Sequence, residues 1–569
     1  MKKIKFLLLS ALVSMAVSAF GADTISVGNL KYTVQYNDYY NDVVYAVGLS
    51  ASGKAASNLA LDIPSTITYA GVKYIVRKID SNAFENATNL TSVTINYVPT
   101  DFQVINAYAF RGCSNITYVR IPSSMTYIGS YAFLGCTKLK RVFMACTEPA
   151  NVDVKNNAFP NNSGMELYVP KTEGREIVDK YDKLAAYVQF SSIKASSDAY
   201  DFMFADGAQM CVTKAPTATI PGEVTMVGYS KSGSSAKDGA FVPACTGTST
   251  GTYGSYGYRY HFVAIADRAC KDNTDLKSID LSKLTKLHTI GTDAFSSCSN
   301  LAEANIDCVS LENIKSYAFA STALKSIHIP ANVNYMYSDA FDTSFDLTSI
   351  TVDKANTTYS SYNDMLYNKG QTTLYRCPAG RQGDLLDTNA DFPAQLEILA
   401  NSAFIQCKNL NKVFLPNKVS EIGPNAFRSS GIKFVKLPSS VTDVKGSAFS
   451  YCESLTEIEC KGMTPPMLTG TSTTFSEVTY NQATLRVPAA ALNVYKAHEV
   501  WGKFLHIEGV DDGLKGDVNA DGIVNVSDVT ALVNKILGTA DYSDSVCDID
   551  GNGTVNVSDV TALVNLILG

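Results

Sequence analysis

ITYVRIPSSMTYIGSYAFLGCTKL, residues 116–139, is the stretch that decides the fold. Its apolar positions are Ile116, Val119, Ile121, Met125, Ile128, the pair Ala132 and Phe133, and Cys136, and Leu139 opens another copy. The gaps between them vary, so neither a helical period of about 3.6 nor a strand period of about 2 fits. Such spacing suits one coil of a solenoid: a short strand, a turn at Pro122, a second extended piece and a closing turn. A coil of about 23 residues cannot bury its own apolar edge and needs neighbours above and below it.

The Ala-Phe pair marks further copies. It recurs at Phe84, Phe110, Phe133 and Phe159, then at Phe295, Phe319 and Phe341, then at Phe404, Phe427 and Phe449, with 22 to 26 residues between neighbours in a group. Strand-like pieces precede many coils: LTSVTI at 90–95, LKSIHIP at 324–330 and NKVFLP at 411–416. The second extended piece follows, as in SSVTDVKGSAF at 439–449. Cys113, Cys136, Cys298, Cys407 and Cys452 each fall three residues after the marker phenylalanine. Although thirteen cysteines in an exported chain suggest disulfides, this periodic placement predicts stacked, buried, reduced thiols acting as small apolar fillers.

A larger duplication lies over the coils. YIVRKIDSNAF at 74–84 aligns with YHFVAIADRAC at 260–270, with Cys270 in the phenylalanine position. LYVPKTEGREIVDKYDKLAAYVQFSSI at 167–193 aligns with LRVPAAALNVYKAHEVWGKFLHI at 485–507: a strand ending Val-Pro, a short amphipathic helix and a last strand. Such a segment covers the open end of a solenoid, where apolar surface and unpaired strand edges would otherwise be exposed. The expected organisation is a signal segment at 1–21, two capped blocks at 22–195 and 196–510, and a small module at 511–569. The Gly/Ser/Thr-rich run 228–257 is expected to be a loose hairpin or loop. The pattern L-x-x-I-x-I-P-x-x-V-x-x-I-x-x-x-A-F-x-x-C resembles the BspA-like leucine-rich-repeat proteins of bacterial surfaces. That resemblance covers most of 60–460 and implies a mainly β solenoid with an adhesive or ligand-binding role.

Lys2, Lys3 and Lys5, the apolar run 6–17 and the small residues ending at Ala19, Phe20 and Gly21 form a secretory signal pattern. No other apolar run approaches the roughly 18 residues needed to span a bilayer, so a secreted or surface-attached protein is expected. The net charge of −7 and the lack of a basic cluster give nucleic-acid binding no support.

Beyond the linker Asp511-Asp512-Gly513 the pattern changes. DVNADGIVNVSD at 517–528 and DIDGNGTVNVSD at 548–559 are twelve-residue loops 31 positions apart, each running into a helical pattern, VTALVNKILG or VTALVNLILG. Oxygen-bearing side chains fall at loop positions 1, 3, 5, 9 and 12 with glycine at 6, which is what calcium requires: oxygens converging around a sharp turn. The first ligand set is Asp517, Asn519, Asp521, the Ile523 carbonyl, Asn525 through water, and Asp528. The second is Asp548, Asp550, Asn552, the Thr554 carbonyl, Asn556 and Asp559. Two calcium sites are expected.

Aspartate at position 12 and the tandem duplication make 516–569 resemble a type I dockerin, an all-α module with paired EF-hand-like loops that binds a cohesin domain. The resemblance implies partner contacts at Val526, Ser527 and Thr530, and at Val557, Ser558 and Thr561. Val529, Leu532, Val533, Ile536 and Leu537, with Val560, Leu563, Val564, Ile567 and Leu568, are expected to be mostly core. VNVSDVTALVN is identical in both repeats, so either helix can present the same surface, in two orientations related by about 180°.

Catalytic patterns are missing from the sequence. The five histidines, His261, His288, His328, His498 and His506, are scattered; there is no HExxH, GxSxG elbow, Walker loop or CxxC, and no opposed carboxylate pair stands out from the repeats. His328 is expected to face the surface. Two functions remain. One is a non-enzymatic binding or adhesion protein whose solenoid meets a host protein or glycan and whose dockerin attaches it to a cohesin-bearing scaffold or surface protein. The other is a component of a polysaccharide-degrading complex, with glycan binding or an unrecognised glycosidase activity. A calcium module serving only as a stabilising tail is a third. On the solenoid, Tyr118, Arg120, Ser123, Tyr127 and Lys138 are variable positions where a ligand is expected.

Overall fold

The structure, a computed structural model, describes residues 24–35, 43–97, 103–170, 175–182, 190–196, 199–203, 208–214, 222–229, 240–241, 251–253, 258–469, 474–510, 516–519, 523–540, 542 and 544–568. The signal segment and most of the run 228–257 lie outside the described residues. The chain divides into two compact units, residues 1–346 with 352–358 and residues 347–351 with 359–569.

The coil at 116–139 takes the expected form. Strand Tyr118–Ile121 is followed by the Pro122 turn, strand Met125–Ile128 and a closing turn. Each strand joins its own parallel ladder. The first pairs Val119 with Val93 on one side and Val142 on the other; the second pairs Ile128 with Ile105 and Val154. Equal positions of successive coils therefore lie in register. Gly129 is fixed by this stacking, since a Cβ there would stand 2.5 Å from the Ala107 nitrogen of the preceding coil.

The first unit holds two such systems. One sheet runs through Thr24–Val27, Leu30–Gln35, Val43–Leu49, Val72–Ile79, Gln103–Ile105, Met125–Ile128 and Asp153–Val154, and its companion runs from Leu59–Ile63 to the edge strand Ser192–Ala195. A separate sheet then begins at Phe202–Met203, Ala208–Lys214 and Gly222–Tyr229 and continues through Tyr258–Ile265, Thr289–Ile290, Asn313–Ile314 and Tyr335–Met336. The second unit repeats the plan. The antiparallel strands Tyr359–Tyr362, Met365–Asn368 and Thr373–Arg376 lead a parallel ladder to Met467–Thr469, and its companion sheet ends at His506–Val510. Three ladders thus start on a hairpin, and the third starts within the span expected as the second block. Antiparallel strands need only short turns, which makes them an economical way to begin a sheet that then grows by parallel coils.

Marker phenylalanines stack inside the coils. Phe84, Phe110, Phe133 and Phe159 lie 5.0, 5.1 and 5.3 Å apart in succession, with ring planes within 9°. Phe404, Phe427 and Phe449 continue the motif in the second unit at 4.8 and 5.0 Å. Phe475, which the Ala-Phe marker misses, extends that column by 5.3 Å. All five ladder cysteines are buried, with free thiols. Burial pushes the thiols of Cys113 and Cys298 up to about 12 and that of Cys452 to about 11. Both Val-Pro closing segments form edge structures: helix Arg175–Asp182 before Ser192–Ala195, and helix Leu492–Ala497 before His506–Val510.

Candidate metal centre and partner helices

Each terminal loop is closed by its twelfth residue. The Asp528 carboxylate accepts from the Asn525 nitrogen at 2.8 Å and from the Asn519 nitrogen at 3.1 Å. Asp559 repeats this with Asn556 at 2.8 Å and Asp550 at 3.1 Å. Both aspartates are fully buried. One residue thus gathers loop positions 3, 9 and 12, and the same geometry arises twice because the spacing is the same twice. Position 9 starts each helix. The Asn525 side-chain oxygen accepts from the Ser527 nitrogen at 2.7 Å, and Asn556 from Ser558 at 2.8 Å, capping helices Val526–Ile536 and Val557–Leu568.

In the second loop, carboxylate oxygens of Asp548, Asp550 and Asp559 all lie within 4.8 Å of one another. The Gly553 nitrogen, at φ +83°, donates to Asp548 Oδ2 at 2.9 Å, while the buried Asp548 Oδ1 has no donor. Three like charges brought together around an unsatisfied oxygen are unfavourable unless a cation joins them. The donor set is all oxygen, which suits a hard divalent ion such as calcium rather than zinc. Asn552 and the exposed Thr554 border this group, and the Thr554 carbonyl accepts from Asn556 Nδ2 at 3.2 Å. In the first loop Asp517 is buried and the Ile523 carbonyl accepts from Asn525 Nδ2 at 3.3 Å; Asp521 lies outside the described residues.

The six candidate partner residues are all exposed, Val526 at 70% and Val557 at 69%. Two of them also touch the loops: Asn519 Nδ2 donates to Ser527 Oγ at 2.8 Å, and Ser558 Oγ donates to Asp550 at 2.5 Å. Loop and helix start are therefore one unit. Leu532 and Leu563 are core as expected, and Val529, Ile536, Val560 and Ile567 pack against them. Leu537, Leu568 and Val533 are not core: they are 68%, 79% and 37% exposed. Two helices crossing at Leu532 and Leu563 cover only one stripe each, and these three residues fall outside it.

On the solenoid, Arg120 and Ser123 are half-buried and already engaged within the chain. Arg120 Nη1 donates to the Tyr200 hydroxyl at 3.0 Å, and the Ser123 nitrogen donates to Asp201 at 2.7 Å. Tyr118 lies under Arg141, Tyr127 under Lys155, and Lys138 donates to Asn115 at 2.8 Å. His328 is exposed in strand Ser326–Ile329. Tyr200 and Asp201 escaped the sequence reading because they lie outside the repeats, and no periodic signal points to them.

A solenoid of stacked leucine-rich coils followed by paired Asx-rich loops and two helices defines a modular binding protein. The chain belongs to the BspA type leucine rich repeat region family, whose pattern matches six copies over residues 64–176, 259–369 and 386–488, more than half of the chain. Residues 515–568 match the dockerin type I domain. Dockerins of this type bind calcium and take a cohesin as partner, and proteins of both kinds are typically extracellular or surface-attached. Neither matched family is enzymatic. Among solved structures, a leucine rich cell surface protein from Faecalibacterium prausnitzii is 18% identical, covering 87% of this chain and 96% of that one, with a TM-score of 0.33. The pneumococcal vaccine antigen PcpA is 14% identical over 86% and 99%, with a TM-score of 0.32. A leucine-rich repeat protein from Bacteroides ovatus is 18% identical over 77% and 94%, with a TM-score of 0.32. No curated protein matches. Among the described residues, no helix is long and apolar enough to cross a membrane.

Proposed function

We propose that the chain is an exported, non-enzymatic adhesion protein whose solenoid meets a host protein or polysaccharide and whose two calcium-loaded loops present a cohesin-binding face. Calcium is held in the first loop by Asp517, Asn519, Asp521, the Ile523 carbonyl, Asn525 and Asp528. In the second it is held by Asp548, Asp550, Asn552, the Thr554 carbonyl, Asn556 and Asp559. The observation that carries this reading is the twin closure of the loops by Asp528 and Asp559, with the Val-Ser start of a helix exposed directly beside each.

Calcium fixes the loop, the loop fixes the helix start, and the helix start offers Val526, Ser527 and Thr530, or Val557, Ser558 and Thr561, to the partner. The test is titration of the purified chain with calcium, then binding to a panel of purified cohesins with and without EGTA. Two calcium equivalents and calcium-dependent capture by at least one cohesin are expected. Capture unaffected by EGTA, or calcium binding that survives Asp528→Ala together with Asp559→Ala, overturns the reading.

A further inference from the structure

Residues 199–203 cross from the first ladder system to the second within the first compact unit. Tyr200 and Asp201 grip the coil at 116–139 from outside. The Asp201 carboxylate accepts three hydrogen bonds: Ser123 nitrogen at 2.7 Å, Ser123 Oγ at 2.9 Å and Val212 nitrogen at 2.7 Å. Ser123 belongs to the Pro122 turn of the first system and Val212 to strand Ala208–Lys214 of the second, so one carboxylate ties the two together. Beside it, the Arg120 guanidinium lies 4.5 Å above the Tyr200 ring and 5.5 Å from the Phe143 ring. The hydrogen-bonded sheets on the two sides are separate. Among the described residues, side chains and the strap at 199–203 therefore make the joint.

We propose that residues 199–203 form a pH-sensitive latch, which clamps the second ladder system onto the strand Tyr118–Ile121 in mildly acid solution and loosens as the solution becomes alkaline. The residue is 6% exposed, and among the described residues no cation forms an ion pair with it. The titratable groups facing it are Tyr97 and Cys146 from the first system and Cys211 from the second, and the nearby Arg120 guanidinium is engaged by the Tyr200 hydroxyl and ring.

Burial raises the Asp201 carboxyl from 3.8 to about 7, and the bonds from Val212 and Ser123 oppose that rise without cancelling it. An acid whose folded value is raised keeps its proton in the closed joint at pH values where the open joint releases it. Closure is thus most favourable below about pH 4 and weakens as pH rises to about 7, beyond which the loss is complete. Opening bares Arg120, Ser123 and Phe143, so the latch controls access to the front of the first ladder system.

The test is hydrogen exchange of the full chain at pH 5.5 and 8.5, corrected for the intrinsic pH dependence. The Ser123 and Val212 amides, whose acceptor is Asp201, are expected to lose about tenfold or more in protection, while amides within strand Tyr118–Ile121 stay unchanged. Asp201→Asn, which cannot titrate, is expected to show weaker protection with no pH dependence. Unchanged protection in the natural chain, or the same pH dependence in Asp201→Asn, overturns the latch. Should that variant not fold, carbon-13 titration of the Asp201 carboxyl in the natural chain decides: a midpoint near 7 supports it and one near 4 sinks it.

Discussion

Cys136 is fully buried, and its Sγ donates to the Phe110 carbonyl one coil back at 3.3 Å. Cys113 does the same to Phe84 at 3.0 Å, Cys298 to Cys270 at 2.9 Å and Cys452 to Phe427 at 2.9 Å. At these positions the side chain is thus more than a small apolar filler: it is compact and carries a donor. Ser344 confirms this, since it replaces cysteine three residues after Phe341 and donates to Phe319 at 2.9 Å. Cys136→Ser keeps volume and donor and should cost about 1 kcal/mol or less in urea unfolding, whereas Cys136→Leu overfills the column and should cost about 1–3 kcal/mol. Equal losses in the two variants would show that the donor is irrelevant. Thiol values near 11 to 12 for Cys113, Cys298 and Cys452 also mean that little thiolate exists at pH 8. Ellman's reagent should leave all three unmodified until denaturant is added.

At the scale of elements, the twin helices present the same apolar face with one difference. Lys535, whose amine lies 3.0 Å from Asp544, stands where the second helix has the 53% exposed Leu566. Val526, Ser527 and Thr530 are matched in exposure by Val557, Ser558 and Thr561, as the proposed docking by either helix requires. Replacing one Val-Ser-Thr set by alanines should leave cohesin affinity within about threefold, and replacing both should abolish binding. A large loss from one set alone would show a single mode, and the Lys535 position would be the first place to seek its cause. Repeated elements of this kind were legible in the sequence because each coil and each loop solves the same packing problem with the same residues. Phe475 was hidden because Thr474 stands where the marker alanine should be, although its spacing from Phe449 fits the period. The 199–203 strap was invisible because it is used once. Exposure of Leu537 and Leu568 depends on how two helices cross, which the pattern of one helix does not state.

For the whole molecule, the cores decide how it unfolds. One cluster gathers buried residues from Ile25 to Phe190, another from Met365 to Phe504, and a small one in the terminal module holds Val518, Ala531, Leu532, Cys547, Ile549 and Leu563. The second cluster is closed before the terminal module begins, with Trp501 fully buried and its indole nitrogen donating to the Pro466 carbonyl at 2.9 Å. The ladder therefore does not need the module to cover its end. The module's apolar core among the described residues, by contrast, is too small to hold a domain of its size alone, and bound metal supplies folding free energy directly. Calcium at 100 times its dissociation constant adds about 2.7 kcal/mol, a large share of the stability of so small a core. Calorimetry of the full chain in calcium should show a helical transition separate from the β transitions, and EGTA should move only the former to lower temperature. Helical circular dichroism should fall in EGTA while the β signal persists, and a chain ending at residue 510 should melt alike in calcium and EGTA. A β transition that shifts with EGTA in the full chain would mean that the module and the ladder share their stability, and separate cores would then not imply separate unfolding.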